Sequence, residues 1–146
     1  MQKLNIAIAA DHAGYSLKEK LKSFLEEMGH KVEDYGPFSD DRVDYPDFAH
    51  PLTKDVQSGK YNLGITLCGS GNGINMVANK YKDIRSAICW SVEIAELARQ
   101  HNDANICAIP ARFVSEELAK NIVVAFLNTN FDGGRHLLRI NKINIT

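Results

Sequence analysis

The stretch Asn62-Leu63-Gly64-Ile65-Thr66-Leu67-Cys68-Gly69-Ser70-Gly71-Asn72-Gly73 decides how the chain is read. Asn62 to Leu67 is an apolar run of strand length, and Asn72 to Lys80 continues as a helix. The chain thus passes from a buried strand into a helix through a glycine-rich turn. The same passage recurs on either side. Upstream, Leu4 to Ala9 is apolar apart from Asn5 and stops at Asp11-His12-Ala13-Gly14; Leu17, Leu21, Phe24, Leu25 and Met28 then follow at helical spacing until Gly29. Lys31 to Tyr35 reads as a short strand and Pro46 to Val56 as a helix. Downstream come a strand over Ser86 to Trp90 and a helix capped by Ser91 with Ile94, Leu97 and Ala98 on one face. A fifth strand follows over Asn105 to Ile109, and Ser115-Glu116-Glu117 opens a helix through Leu127. Five β-α repeats with short connections predict one α/β domain over residues 1–146, a Rossmann-like three-layer αβα sandwich with a five-stranded parallel sheet. Ligands belong at the carboxyl ends of such strands, and the loop Gly36 to Asp44 reads as a rim of the site.

Composition narrows the function classes. The chain has 146 residues, with 17 Lys and Arg against 18 Asp and Glu and a formal net charge of −1. A chain of about 150 residues buries roughly 70% of its unfolded surface and needs neither disulfides nor a structural metal. The charge balance gives no general pull toward nucleic acid or an anionic membrane, so a bound anion must be held by a local cluster. Cys68, Cys89 and Cys107 are an odd number without C-x-x-C spacing, which fits a reduced, cytoplasmic setting. The apolar start is too short for a secretory signal, and no run approaches a membrane span of about 20 residues. The histidines His12, His30, His50, His101 and His136 lack zinc-site spacing, so no metal and no cofactor is expected.

The turn Leu67 to Gly73 carries the strongest chemical signal. Its alternate glycines allow positive φ and close backbone approach, and the helix that follows presents unpaired N–H groups, a combination suited to a phosphate or a transient oxyanion. A purely structural turn has the same composition, and neither the P-loop lysine nor the Rossmann fingerprint is present. Cys68, where the strand stops and the helix begins, occupies a position that favours a thiolate and is a candidate base or nucleophile; inert packing is the alternative. Cys89 and Cys107, among aliphatic neighbours, read as core. Asp11 and His12 end the first strand as candidate site residues or as helix caps. His101-Asn102 closes the fourth helix, where a histidine can equally complement the helix dipole. Arg135 and Arg139, four apart, can share a helix face and grip a phosphate, with Arg112 joining them, or can form a solvated basic face.

Five motifs then match one family in order: Ala10-Asp11-His12-Ala13-Gly14, Asp44-Tyr45-Pro46, Cys68-Gly69-Ser70-Gly71-Asn72-Gly73 with Ala78-Asn79-Lys80, Arg99-Gln100-His101-Asn102-Asp103-Ala104-Asn105, and Gly133-Gly134-Arg135-His136 with Arg139. The chain closely resembles the B-type ribose-5-phosphate isomerases and the related galactose-6-phosphate isomerase subunits. The resemblance implies aldose–ketose isomerisation of ribose 5-phosphate and ribulose 5-phosphate, a pentose phosphate pathway step, through a cis-enediolate without metal or organic cofactor. It implies Cys68 as the base between C2 and C1, assisted by Ser70, with the turn Gly69, Ser70, Gly71, Asn72 and Gly73 holding the enediolate oxygen. It further implies His101 as the ring-opening acid/base, Asp11, Tyr45 and Asn102 near the sugar hydroxyls, and His12, Arg112, Arg135 and Arg139 on the phosphate.

Some relatives use a glutamate one residue after the last turn glycine. Ile74 stands there in this chain and cannot accept a proton, which leaves Cys68. Pro110 departs from the expected glycine and, by fixing φ and removing an N–H, bears on the placement of Arg112. The partners implied are a small sugar phosphate and a second copy of the chain, in a homodimer or dimer of dimers with shared sites. The C-terminal segment of about 131–146 is expected on the partner subunit, since its isoleucines have no strand of their own chain left to cover. The alternatives are an isomerase of allose 6-phosphate or galactose 6-phosphate, and a non-catalytic sugar-phosphate-binding subunit.

Overall fold

A computed structural model describes residues 2–145, which form five strands and six helices in strict alternation until the end of the chain. They are β1 (Asn5–Ala10), α1 (Tyr15–Glu27), β2 (Lys31–Asp34), α2 (Tyr45–Gln57), β3 (Leu63–Cys68), α3 (Asn72–Ala78), β4 (Ser86–Ile88), α4 (Val92–Asn102), β5 (Ile106–Pro110), α5 (Glu116–Asn128) and α6 (Arg135–Ile140). The strands lie in the order β2-β1-β3-β5-β4 with every pairing parallel. This is the α/β sandwich expected from the sequence.

Side-chain alternation along the strands builds two cores. Ile6, Ile8, Ile65, Leu67, Cys107 and Ile109 face one way, against Leu21 and Leu25 of α1, Ala98 of α4 and Ile122, Val123 and Phe126 of α5. Ala7, Ala9 and Ile106 face the other way, against Leu52 and Val56 of α2 and Ala78 of α3. Every residue of β3 is buried because helices cover both of its faces, which is why it reads as an unbroken apolar run. At the open edge β4 has only three residues. There the Asn79 side chain replaces a missing strand, donating to Ser86 C=O at 2.9 Å and accepting from Ser86 N–H at 2.8 Å.

Helix ends follow the capping expected from the sequence. Ser91 Oγ accepts from Ile94 N–H at 3.2 Å and Ser115 Oγ from Leu118 N–H at 3.0 Å. β4 stops at Ile88, so Cys89 lies just past the strand rather than within it, although it is fully buried as expected. The C-terminal isoleucines do not behave as a uniformly uncovered tail. Ile140 is buried on its own chain, and Asn144 is tied to Asp83 by its Oδ1 and Nδ2 at 3.1 and 2.6 Å. Ile143 and Ile145 remain exposed.

Candidate active site

The chain leaves β1 toward β2 on one side and returns across the sheet to β3, so the carboxyl ends of β1 and β3 diverge and open a crevice. Asp11 and Cys68 stand at its two lips, linked by the Asp11 N–H that donates to Leu67 C=O at 3.0 Å. A cavity of about 480 Å³ opens there, lined by Asp11, Tyr45, Cys68, Gly69, Ser70, Gly73, Arg112 and Phe113. Seven of these were expected from the sequence. Phe113 was not, and no sequence signal marks it.

Asp11 is not the cap of α1, which is Gly14, but it holds the turn just before it. Its Oδ1 accepts from Ala13 and Gly14 N–H at 2.9 and 3.0 Å, so one carboxylate oxygen secures the turn into α1 while the residue also lines the cavity. Cys68 is nearly closed off from solvent and packs among Ala49, Ile74 and Ala108. Gly71 (φ +78°) needs the left-handed conformation that glycine adopts freely. Gly73 makes room for Tyr45, since a Cβ there would lie 2.5 Å from the phenol ring. Ser70 Oγ accepts from Asn72 N–H at 3.3 Å and tightens the turn.

Pro110 does not displace Arg112. It closes β5 opposite Cys68, where the chain is leaving the sheet, and the connection re-forms beyond it: Ala111 N–H donates to Cys68 C=O at 2.9 Å and Arg112 N–H to Gly69 C=O at 3.0 Å. The Arg112 side chain then lies over Gly69, where a Cβ would come within 3.0 Å of Nη1. His12 stands beside this group with its ring against the rim loop. Val43 N–H donates to Nδ1 at 3.2 Å, and Val43 C=O lies 3.3 Å from the same nitrogen. Val43 thus holds the ring from its Nδ1 side.

The remaining expected residues gather elsewhere. Asn102 C=O accepts from Arg85 Nε at 2.9 Å, and Asn105 Oδ1 takes Arg85 N–H at 2.8 Å, so α4 ends beside the first residues of β4 and β5. His101 and Asn102 thus occupy the amino edge of the sheet. Arg99 links this end to the next loop, reaching Asp103 at 3.0 Å and Thr129 C=O at 3.2 Å. α6 comes back over α4, stacking His136 on His101 with ring centroids 4.3 Å apart and planes 12° from parallel. Burial holds the His136 ring below its ordinary pKa, with further lowering from His101, Arg135 and Arg139. Arg135 and Arg139 are exposed on the same short helix. β3 is six residues long, and at about 3.3 Å per residue the two groups are separated by roughly 17 Å or more.

His101, Asp132 and His136 bring three potential metal ligands within 4.8 Å of one another, from stretches whose spacing gave no hint of it. With the two rings stacked 12° from parallel, a single ion could not lie in the plane of both without a ring turning.

The sequence profile of the Ribose/Galactose Isomerase family matches residues 6–143. The ribose-5-phosphate isomerase B of Escherichia coli is 43% identical over 138 residues, covering 94% of this chain and 93% of that protein. A crystal structure of a ribose 5-phosphate isomerase from Thermotoga maritima superposes with a TM-score of 0.96 at 48% identity, covering 97% of this chain and 98% of the other. The Mycoplasma genitalium ribose-5-phosphate isomerase B with bound ribulose 5-phosphate gives 0.90 at 43% identity, covering 95% and 93%.

Proposed function

The chain belongs to the ribose/galactose isomerase family, and from that premise we propose that it interconverts ribose 5-phosphate and ribulose 5-phosphate, as in the pentose phosphate pathway. One observation carries the reading. The crevice between β1 and β3 holds Cys68, Asp11 and Arg112 together, in a chain that resembles over nearly its whole length an enzyme solved with ribulose 5-phosphate.

In the proposed reaction His101 exchanges a proton with the furanose oxygen and opens the ring. The Cys68 thiolate then takes the C2 proton, which leaves a cis-enediolate whose O1 oxyanion faces the N–H groups of the turn around Ser70 and Gly71 before it receives the proton from O2. Returning the proton to C1 while O2 gives up its own, with Ser70 assisting, completes the ketose. The net change moves one hydrogen from C2 to C1 and one from O2 to O1. Asp11, Tyr45 and Asn102 address the sugar hydroxyls, while His12, Arg112, Arg135 and Arg139 hold the phosphate.

Within one chain His101 and Cys68 stand at opposite edges of the sheet, too far apart to serve one substrate. A twofold homodimer, alone or paired as a dimer of dimers, resolves this by laying the amino edge of one subunit over the carboxyl edge of the other. The segment 131–146, whose last residue lies outside the described ones, belongs to that interface with exposed Leu137, Leu138, Ile143 and Ile145. The three free cysteines fit a reducing, cytoplasmic setting.

Purified protein is assayed with ribose 5-phosphate and allose 6-phosphate in parallel. The expected result is a higher kcat/KM for the pentose. A preference for the hexose removes the pentose assignment, and no turnover of either removes the activity.

A further inference from the structure

Lys18 is a buried cation that the chemistry above does not use. It shares the inward face of α1 with Leu21 and Leu25, and its side chain is 0% exposed. Its Nζ donates to both Asp34 oxygens at 2.8 and 2.7 Å and to Glu19 Oε1 at 2.8 Å, with the Tyr15 and Phe38 rings each 5.4 Å away. Desolvating such a pair offsets most of its Coulomb attraction, so stability alone is a weak reason for its presence. Its position is more informative. Asp34 Oδ1 also accepts from Gly36 N–H at 2.8 Å, and Gly36 C=O accepts from Ala10 N–H at 2.9 Å. The pair therefore grips the start of the rim loop 36–44 where it leaves β2.

At the far end of that loop Val43 meets the His12 ring. The Val43 N–H directed at Nδ1 favours the neutral tautomer with its proton on Nε2, the nitrogen free to donate to an anion, over the one in which Nδ1–H donates to Val43 C=O. We propose that the Lys18–Asp34 pair is a positioning device for phosphate recognition: by fixing the loop it presents Val43 to His12 and so sets that ring's tautomer and aim. The inference rests on His12 contacting phosphate, as proposed above.

Two variants and two readouts test it. Lys18→Met/Asp34→Leu replaces the pair by apolar groups of similar size and takes the acceptor from Gly36 N–H. Asp34→Asn keeps an acceptor oxygen but weakens the hold of Lys18. Histidine 15N–1H spectra, with the His12 signal assigned from a His12→Asn sample, are expected to give the Nε2–H form in the parent and a mixture of tautomers in the double variant. The double variant should also raise KM for ribose 5-phosphate and the inhibition constant of inorganic phosphate about tenfold while kcat stays within about threefold. Asp34→Asn should move both readouts the same way by less. Unchanged tautomer and KM in both variants, or in Asp34→Asn alone if the double variant does not fold, overturn the proposal. So does an Nδ1–H tautomer in the parent. A parent inactive on ribose 5-phosphate would instead remove the proposed activity, leaving the tautomer and inorganic phosphate to decide the role of Lys18.

Discussion

Three cysteines share one chain and differ in what their surroundings allow. A hydrogen bond with Cys89, together with burial, pushes the Cys107 thiol up so that it stays protonated, and both residues are sealed in the core. Cys68 alone lines the crevice. Cys68→Ser is expected to lower kcat by at least about a hundredfold with competitive inhibition by inorganic phosphate unchanged, because an unassisted hydroxyl cannot take a carbon-bound proton at neutral pH. Cys89→Ser should stay close to the parent. Equal rates in all three proteins, measured by steady-state isomerisation, would remove Cys68 as the base. His30 supplies a second residue-level prediction, this one on stability. Its Nδ1 accepts from Leu4 N–H at 3.2 Å, which leaves the ring proton on a buried Nε2 without a partner among the described residues. Burial lowers its pKa from the ordinary 6.5. The unfolded chain therefore binds this proton at a higher pH than the folded one does, and the stability His30 contributes is complete above about 6.5 and lost as the pH falls below it. Thermal melts between pH 7.5 and 5.5 should show a drop in Tm that shrinks in His30→Gln; an equal drop in both would assign the acid sensitivity elsewhere.

At the level of elements, the glycines show which contacts the packing requires. A Cβ on Gly14 would lie 2.7 Å from both Cβ and the carbonyl oxygen of Leu67, so the first turn of α1 rests directly on β3 backbone. Gly14→Ala is expected to cost about 1–3 kcal/mol by forcing these elements apart, checked by urea unfolding; no loss of stability would mean that the helix can shift freely. The strand–helix alternation was legible in the sequence because β1, β3 and β5 are buried on both faces and read as apolar runs, and because Ser91 and Ser115 mark helix starts. The end of β4 was not, because Cys89 and Trp90 continue the apolar run after the pairing has stopped. Strand order was equally hidden, since nothing in the spacing says that β5 inserts between β3 and β4. Lys18 did leave a trace. It stands three residues before Leu21 and seven before Leu25, on the apolar stripe, where a lysine needs a buried partner.

For the whole molecule, the decisive feature is the division of the expected site residues between two edges of one sheet. The motifs were readable in the sequence, but their separation was not drawn from it. The signal was topological: a residue ending a helix that leads into a parallel strand lies at the edge opposite to a residue ending a strand. His101 is of the first kind and Cys68 of the second. The proposed reaction therefore draws the two from different subunits. The most direct measurement mixes Cys68→Ser with His101→Ala, each nearly inactive alone on ribose 5-phosphate, after dissociation and reassociation in equal amounts. Half of the dimers are then mixed and one of the two sites in each is intact, so activity should recover to about a quarter of the parent value. Activity that stays at the average of the two variants, or a parent that is monomeric and fully active by light scattering at the assay concentration, would contradict a site shared between subunits.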